Sequence, residues 1–285
     1  MTGTVIVGAG QAGAQTAFSL REFGYTAPIT IVGAEAHHPY QRPPLSKAFL
    51  AGTADPQSLL LRKQAFYDKL EIDVRSRCTV RDVEFAGDRG TAYLDTGEIA
   101  PFDRLVLAVG GRPRRLDVPG SDLDGVTYLR TIDDAMSICA LLGRSNSVVV
   151  IGGGFIGLEV AAAARGRDAA VTVVEAAPRL LSRSLAPDMS EFLRDAHETA
   201  GVTFHFGAAV TAIEGDGEHV RRVILTDGSQ IAADAVIVGI GLEPRLELAE
   251  RLGLETDGES SSTSIPRRVI TGCWPPVTAP SCRIR

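Results

Sequence analysis

Short apolar runs alternate along the chain with amphipathic stretches. Thr4–Val7 consists of strand-forming residues, and the amphipathic stretch Ala14–Glu22 follows after a turn. A second apolar run, Ile29–Val32, comes next. Apolar runs of this length predict buried strands, and the order strand, helix, strand predicts a parallel sheet. The pattern therefore favours an α/β fold.

A glycine motif lies in the turn between the first strand and the helix. Gly8, Gly10 and Gly13 have the spacing G-x-G-x-x-G, in the context in which this motif binds a dinucleotide. The first glycine permits a tight turn, the second lets a pyrophosphate approach the backbone, and the third lets the helix pack on the strand. The helix N-terminus offers N–H groups and a positive dipole end to the phosphates. Glu35 lies about 20 residues later, where an acid binds a ribose hydroxyl; the alternative is a glycine-rich structural turn.

The same arrangement returns in the middle of the chain. The second module consists of the strand Ser147–Ile151, the glycines Gly152, Gly154 and Gly157, the helix Leu158–Arg165, the strand Val171–Val174 and the acid Glu175. The segment Leu94–Gly110 also resembles Leu225–Gly241, with 13 residues from the turn glycine to the final glycine in both. Two dinucleotide-binding modules are what an enzyme that uses both a flavin and a nicotinamide requires.

Composition limits the class of protein. With 285 residues, of which 45% are hydrophobic and 22% charged, the chain has room for two domains with ordinary cores. The apolar stretch Val148–Ala164 contains Glu159 and four glycines, so it predicts strand, turn and helix instead of a membrane span. Met1 leads directly into the first strand, so no signal peptide is expected. The net charge of −6 argues against nucleic acid as a partner.

The cysteines and histidines predict no metal site. Cys78, Cys139, Cys273 and Cys282 have neither metal-ligand spacing nor the spacing of a disulfide framework, and a reduced, cytoplasmic setting fits them best. A dithiol reductase is the enzymatic alternative, but it needs a redox-active cysteine pair, and the sequence contains no C-x-x-C. The adjacent histidines at positions 37 and 38 are expected on the surface because no third ligand is near in sequence.

Two basic segments are candidates for contacts with phosphate or flavin. Pro43-Pro44 excludes a helix at that point, and Leu45-Ser46-Lys47 is predicted to open the next one. Arg42 and Lys47 could hold pyrophosphate or tune a flavin; the alternative is a surface loop with two solvated cations. In the cluster formed by Arg112, Arg114 and Arg115, the first could contact phosphate and the others are expected to be solvated.

The sequence also predicts a helix over Ser58–Leu70 with Leu59, Leu60, Phe66 and Leu70 mostly inward. The remaining predicted elements are strands within Glu71–Val83, a hairpin turn at Thr96-Gly97, a buried strand Leu105–Val109, a helix from an N-cap at Thr131 to about Leu142, and a short helix Leu246–Leu252.

These residues resemble the NADH-dependent ferredoxin reductases of oxygenase systems, in the flavoprotein disulfide-reductase superfamily with two dinucleotide-binding domains. The resemblance covers about residues 3–258. Its most specific part is Pro39-Tyr40-Gln41-Arg42-Pro43-Pro44-Leu45-Ser46-Lys47, and Ile151–Glu159 is the second anchor. It implies FAD and NAD(H) as cofactors and a ferredoxin-type iron–sulfur protein as partner, and it leaves the oligomeric state open.

The resemblance also implies roles for individual residues. Those implied in FAD binding are Gly8, Gly10, Ala12, Gly13, Glu35, Arg42, Lys47, Val80, Ala108, Gly110 and Arg112. Those implied in NAD(H) binding are Gly152, Gly154, Phe155, Ile156, Gly157, Glu159, Glu175 and Gly241. Lys47, along the flavin, and Glu159, near the nicotinamide, are the catalytic candidates. In this family NADH gives a hydride to the flavin, which passes single electrons to the iron–sulfur protein.

The domain order implied by the resemblance is two Rossmann-like domains, with the NAD domain inserted in the FAD domain. Residues 1–112 are the first part of the FAD-binding domain, and 113–241 are the NAD(H)-binding domain. Residues 242–258 begin the return to the FAD domain, which is expected to be incomplete, and 259–285 form a tail that departs from the family.

The tail has no helix or strand period, and the family's small-small-Gly-Asp motif for FAD is absent from it, as is a C-terminal domain. With TCN codons for the serines and G at the unspecified bases, back-translation from the third base of the Glu259 codon gives Ile or Val followed by Val-Val-Asp. The same offset through Cys273–Thr278 forces Leu-Ala, and G at the unspecified bases completes Leu-Ala-Ala-Gly-Asp, the missing motif. We therefore predict that 259–285 is family sequence translated out of frame, which resequencing would test. The alternative function is a truncated, non-catalytic product that binds NAD(H) but retains FAD poorly.

Overall fold

Two compact units make up the chain. The computed structural model describes residues 2–256 and 269–271. Unit 1 takes in the chain up to residue 41, residues 60–112 and the described residues from 243 onward, and unit 2 takes in residues 42–59 and 113–242. The predicted first domain included 42–59, whereas the structure assigns this segment to unit 2, because its side chains bond to the helix that follows the second glycine motif.

Unit 1 begins with the strand–helix–strand order that the sequence predicts. Its first elements are β1 (Thr4–Val7), α1 (Gln11–Glu22), β2 (Ile29–Val32), α2 (Gln64–Lys69), β3 (Ile72–Arg75), β4 (Val80–Ala86), β5 (Arg89–Leu94), β6 (Ile99–Phe102), β7 (Arg104–Leu107) and β8 (Gly111–Pro113). β3, β2, β1 and β7 lie side by side in a parallel sheet, and β4, β5 and β6 form a separate antiparallel sheet. Every residue of β1 is buried, as in a strand covered on both faces.

Unit 2 repeats this plan. Its elements are a π-helical turn (Leu45–Phe49), β9 (Val126–Tyr128), α3 (Ile132–Leu142), β10 (Ser147–Ile151), α4 (Phe155–Arg165), β11 (Ala170–Glu175), α5 (Pro187–Thr199), β12 (Val202–Phe206), β13 (Val210–Asp216), β14 (His219–Leu225), β15 (Gln230–Ala232) and β16 (Ala235–Val238). The parallel sheet has the order β12-β11-β10-β16-β9, and β13, β14 and β15 form an antiparallel sheet. The predicted α/β fold class is confirmed.

The chain then returns to unit 1. The returning elements are β17 (Leu242–Pro244), which pairs with β8, α6 (Glu247–Arg251) and β18 (Val269–Thr271). β18 lies parallel to β7, although the sequence of the tail shows no strand period. Its three β-branched residues need no amphipathic period, because the edge of β7 offers backbone N–H and C=O groups. The rest of the tail that we predict to be out of frame lies outside the described residues.

The predicted helix over Ser58–Leu70 is wrong in its first half. α2 begins only at Gln64, because residues 56–59 form turns, Leu60 forms an antiparallel bridge with Tyr40 and the N-cap Lys63 is extended. Tyr67 is the residue of α2 that is fully buried. The helical period of the sequence could not show that Leu60 pairs with a residue 20 positions earlier in the chain.

In each unit, one aspartate carboxylate accepts hydrogen bonds from the backbone where the first strand of the glycine module begins. Asp103 and Asp234 each lie six residues after a hairpin glycine with positive φ, Gly97 or Gly228. The Asp103 carboxylate accepts the backbone N–H groups of residues 2–3 at 2.8 and 3.1 Å. The Asp234 carboxylate accepts those of residues 146–147, both at 2.9 Å. The internal repeat therefore extends to side-chain contacts.

An arginine near the end of the first helix of each module binds carbonyl groups of the following turns. Arg21 donates to the backbone oxygens of Tyr25, Ala27, Leu70 and Glu71 at 2.6 to 2.9 Å. In unit 2, Arg165 donates to those of Ala169 and Ala200. Both arginines lie 13 residues after the first glycine of their motif, at Gly8 and Gly152. The guanidinium thus ties the helix to the start of the neighbouring strands.

Candidate functional site

The loop between β1 and α1 contains three glycines with different surroundings. Gly8 has a φ of +120°, and a Cβ there would lie 2.0 Å from the Ala108 carbonyl oxygen. A Cβ on Gly13 would lie 2.0 Å from the Gly8 carbonyl oxygen, so α1 approaches β1 more closely than a side chain would allow. At Gly10 the Cβ position is open, with no atom of the described chain within 4 Å beyond the adjacent residues. The loop is therefore closed toward the sheet and open at its middle glycine.

The loop between β10 and α4 has the same geometry. Gly152 has a φ of +108°, and a Cβ there would lie 2.5 Å from the Gly239 carbonyl oxygen. A Cβ on Gly157 would lie 2.0 Å from the Gly152 carbonyl oxygen, whereas the position at Gly154 is open among the described residues. The two units therefore present the same backbone cradle.

The helices that follow the two loops begin without a capping side chain. Their N-cap residues are Gly10 and Gly154, and neither helix has an acidic residue in its first turn. The first N–H groups of a helix have no partner within the helix, and they carry the positive end of its dipole. Each loop thus offers donors and positive potential at a point where the backbone is accessible, which suits a phosphate group.

The acids predicted to bind ribose are both held by hydrogen bonds within their own unit. Glu175 accepts the Gly153 N–H at 2.6 Å on Oε2 and the Ala177 N–H at 2.7 Å on Oε1. In unit 1, the Tyr40 hydroxyl donates to Glu35 Oε2 at 2.5 Å. Tyr40 is 4% exposed, so its phenol is fixed by packing. These bonds fix each carboxylate near the end of the second strand of its module.

Arg179 follows Glu175 closely in sequence, but its guanidinium is hydrogen-bonded to residues that follow it in the chain. Its guanidinium donates to the carbonyls of Leu185 and Ser182 at 2.8 and 2.9 Å and to the Ser190 hydroxyl at 2.7 Å. A side chain with these bonds is not free to pair with a phosphate beside Glu175.

A cluster of three polar side chains joins α4 to the π-helical turn. Lys47 Nζ lies 3.1 Å from Glu159 Oε1, and the Ser46 hydroxyl donates to Glu159 Oε2. The turn is closed by an i to i+5 bond, in which the Leu50 N–H donates to the Leu45 carbonyl at 3.2 Å. Short π-helical segments are often found at functional sites. The two catalytic candidates therefore form an ion pair, and a residue that the sequence did not single out joins them.

The predicted basic contacts lie in different surroundings. Arg42 donates to the Arg130 carbonyl at 2.5 Å within unit 2. Arg112, in unit 1, forms ion pairs with Glu243 at 2.5 Å and with Glu247, and its hydrogen bonds to these acids raise its pKa. The guanidinium predicted to contact phosphate is thus bonded to carboxylates.

The neighbouring arginines, Arg114 and Arg115, are exposed, as the sequence predicts. The two histidines expected on the surface, His37 and His38, are half-buried, and His38 stacks on Tyr67 with ring centroids 5.7 Å apart. The aromatic packing of this segment was not visible in its polar sequence.

The other predicted cofactor contacts divide into buried and exposed positions. Val80 and Ala108 are each 7% exposed. Phe155 and Ile156, in the first turn of α4, are 55% and 43% exposed, which is unusual for large apolar side chains. Ala12 is half-buried, and Gly110 and Gly241 have φ values of +65° and +120°. An apolar surface next to a phosphate cradle suits a ligand with both charged and planar parts.

Ser46 and Tyr40 are the side chains of the site that sequence reasoning missed. Both lie in the segment Pro39–Lys47, but spacing gave no reason to choose a serine or a tyrosine over its charged neighbours. Their hydrogen-bond partners, Glu159 and Glu35, were already site candidates from the sequence. The signal that could have found Ser46 and Tyr40 is that each of these carboxylates needs a hydrogen-bond donor.

The described residues contain no group of three or more His, Cys, Asp or Glu side chains that could hold a metal ion. In the same part of the chain, no helix combines the length and apolar character needed to cross a membrane.

Comparison with known proteins places these features in a family. Residues 2–262 match the family described as pyridine nucleotide-disulphide oxidoreductase. The chain is 44% identical over 251 residues to rubredoxin-NAD(+) reductase of Pseudomonas putida, covering 88% of this chain and 65% of that protein. It is also 44% identical over 253 residues to rhodocoxin reductase of Rhodococcus erythropolis, covering 89% and 59%.

Among solved structures, the reductase in the covalent putidaredoxin reductase–putidaredoxin complex matches with a TM-score of 0.88 and 39% identity. The match covers 94% of this chain and 66% of that one. The chain thus spans less than two thirds of the length of each of these three proteins, from 59% to 66%.

Proposed function

Because the chain belongs to the pyridine nucleotide-disulphide oxidoreductase family, we propose that it passes electrons from NADH through FAD to a small iron–sulfur protein of the ferredoxin or rubredoxin type. The resemblance seen in the glycine motifs and in Pro39–Lys47 is confirmed at the level of the family. The proposed acceptor is supported by the names of the relatives, which act on rubredoxin or rhodocoxin, and by the structure of a related reductase joined to putidaredoxin.

The observation that carries the proposal is the duplicated cradle. The loops at Gly8–Gly13 and Gly152–Gly157 have the same glycine geometry, and each is followed by a helix without a side-chain cap. Two such cradles allow the chain to bind two dinucleotides. We assign FAD to unit 1 and NAD(H) to unit 2, as the order of modules in the sequence suggests.

The residues of unit 1 would hold FAD by its adenosine and pyrophosphate. The α1 N-terminus and the open face at Gly10 would receive the pyrophosphate, and Glu35, held by Tyr40, would accept a ribose hydroxyl. When bound, the flavin supplies the chemistry of accepting a hydride and releasing single electrons. The chain supplies position and electrostatics.

The residues of unit 2 would hold NAD(H) in the same way. The α4 N-terminus would receive the pyrophosphate at Gly154, and the Glu175 carboxylate would accept from the ribose 2′-hydroxyl. Glu159, on the second turn of α4, is the candidate acceptor for the nicotinamide carboxamide. Lys47, whose side chain is 57% exposed, keeps its ammonium beside that carboxylate and available to a further acceptor.

A dithiol mechanism finds no support in the described cysteines. Cys78 is 4% exposed, and burial raises the pKa of its thiol. The thiolate is the reactive form, so a buried thiol with a raised pKa is a poor redox group. Electron transfer through flavin alone accounts for the site without it.

The test is reconstitution of the full 285-residue chain with FAD, followed by anaerobic titration with NADH. We expect a yellow protein whose visible flavin absorbance is bleached by NADH. Reduction of an added ferredoxin or rubredoxin is then measured by coupled reduction of cytochrome c. A protein that binds NAD(H) but takes up no flavin would favour the non-catalytic alternative. Flavin bleaching without electron transfer to either acceptor would refute the proposed partner alone.

A further inference from the structure

The Glu159 carboxylate is held by two donors of very different character. Lys47 reaches Oε1 with a long side chain that is 57% exposed. Ser46 reaches Oε2 with a short side chain on a residue that is only 2% exposed. The π-helical turn that carries both residues is closed by its own backbone bonds, including Phe49 N–H to the Pro44 carbonyl at 3.0 Å.

Because of these differences, the two donors have different effects on the Glu159 carboxylate. A solvated lysine has many rotamers, so it contributes charge but defines direction poorly. A buried serine has one rotatable bond to its hydroxyl and few places to move. Its hydrogen bond to an ionised acceptor belongs to the stronger class. The hydroxyl therefore fixes the plane of the carboxylate, which one contact from a flexible lysine would leave free to rotate.

We infer that Ser46 is a positioning residue for the nicotinamide site, acting through Glu159. This rests on the proposed function, in which Glu159, on the second turn of α4, accepts from the nicotinamide carboxamide of NAD(H). With Oε1 paired to Lys47 and Oε2 bonded to Ser46, the carboxylate is held in one orientation toward the carboxamide. Without the serine hydroxyl, the charge remains but its direction is lost.

The test compares two ligands that differ only in the nicotinamide. NAD+ and ADP-ribose share the adenosine, pyrophosphate and second ribose, and NAD+ cannot reduce a bound flavin. Calorimetric titration of the full chain gives the ratio of the two dissociation constants. We expect Ser46→Ala to reduce the preference for NAD+ by about tenfold, near the lower end for a hydrogen bond to a charged group, with ADP-ribose affinity unchanged. A general loss of structure would weaken both ligands together.

Matched variants control for stability and for the route of the effect. Ser46→Thr keeps a hydroxyl and should retain most of the preference. Ser145→Ala removes another buried hydroxyl of unit 2, which donates to the Leu141 carbonyl at 2.8 Å, and should leave the ratio unchanged. In a Glu159→Gln background, Ser46→Ala should add little, because effects that act through one shared group are not additive.

The outcomes separate this inference from the proposed function. If the unmodified protein shows no preference for NAD+ over ADP-ribose, both the nicotinamide site and the role of Ser46 are refuted. If Glu159→Gln abolishes the preference but Ser46→Ala leaves it intact, the site stands and the positioning role is refuted. Loss of the preference in Ser46→Ala, with retention in Ser46→Thr and Ser145→Ala, supports the inference.

Discussion

Replacing the middle glycine of one cradle should weaken binding of one dinucleotide about 30-fold and leave the fold intact. Gly154 has φ −83° and ψ 178°, which alanine adopts without strain, and its Cβ position is open among the described residues. In Gly154→Ala the methyl group would occupy the space through which a phosphate approaches the backbone. Stability should change by less than about 1 kcal/mol, because alanine reduces the entropy of the unfolded chain but is a poorer N-cap residue than glycine.

The loss of affinity follows from the hydrogen bonds that the methyl group prevents. One backbone N–H bond to a charged phosphate oxygen is worth about 2 kcal/mol, which corresponds to roughly 30-fold in the dissociation constant. Titration calorimetry with NAD+ measures this loss, and thermal unfolding in the absence of ligand checks the fold. Gly10→Ala is the matched variant, since Gly10 has φ −92° and an equally open position. It should impair FAD retention and leave NAD+ affinity unchanged.

Substitution of Gly157, in the same loop, should impair folding and not only binding, and it therefore tests the geometry of the loop. A Cβ at Gly157 would lie 2.0 Å from the Gly152 carbonyl oxygen, so α4 would have to move away from β10. Gly157→Ala should therefore destabilise the unliganded protein by about 2 kcal/mol, as overpacking does. The reasoning is refuted if Gly154→Ala binds NAD+ as tightly as the unmodified protein, or if it unfolds as readily as Gly157→Ala.

Three further predictions follow from single side chains. NADH should bind at least about tenfold more tightly than NADPH, because a 2′-phosphate would meet the charge of Glu175; calorimetry showing equal or tighter NADPH binding would contradict this. Arg21→Ala should lower the free energy of unfolding by about 2 kcal/mol, since four carbonyl oxygens lose their donor, and an unchanged denaturation midpoint would show that water replaces it fully. The Thr2 hydroxyl and the backbone N–H groups lower the pKa of Asp103, so its contribution should be present above pH 3.8 and vanish as the pH falls through the lowered pKa. Melting temperatures of the unmodified protein and Asp103→Asn should therefore converge in acid, and a gap that persists would count against this.

Much of each nucleotide cradle was determined locally. Strand, glycine turn, helix and acid lie within about 30 residues of one another, and most of their conformation depends on neighbours along the chain. A window of sequence therefore contains the physical cause, whether it is the positive φ at Gly8 or the missing Cβ at Gly13. The same holds for α3, which starts with a capping box at Thr131 and ends at Leu142 as predicted.

The tertiary structure decided which distant segments meet. Sequence analysis assigned residues 42–59 to the first domain, but Ser46 bonds to Glu159, 113 residues away. Leu60, before α2, likewise pairs with the distant Tyr40 instead of joining a helix, and β18 owes its pairing to the edge of β7. Periodicity reports which face of an element is apolar but not which surface will cover it. That choice depends on the packing of elements already folded, so the sequence alone could identify Glu159 but not the serine that orients it.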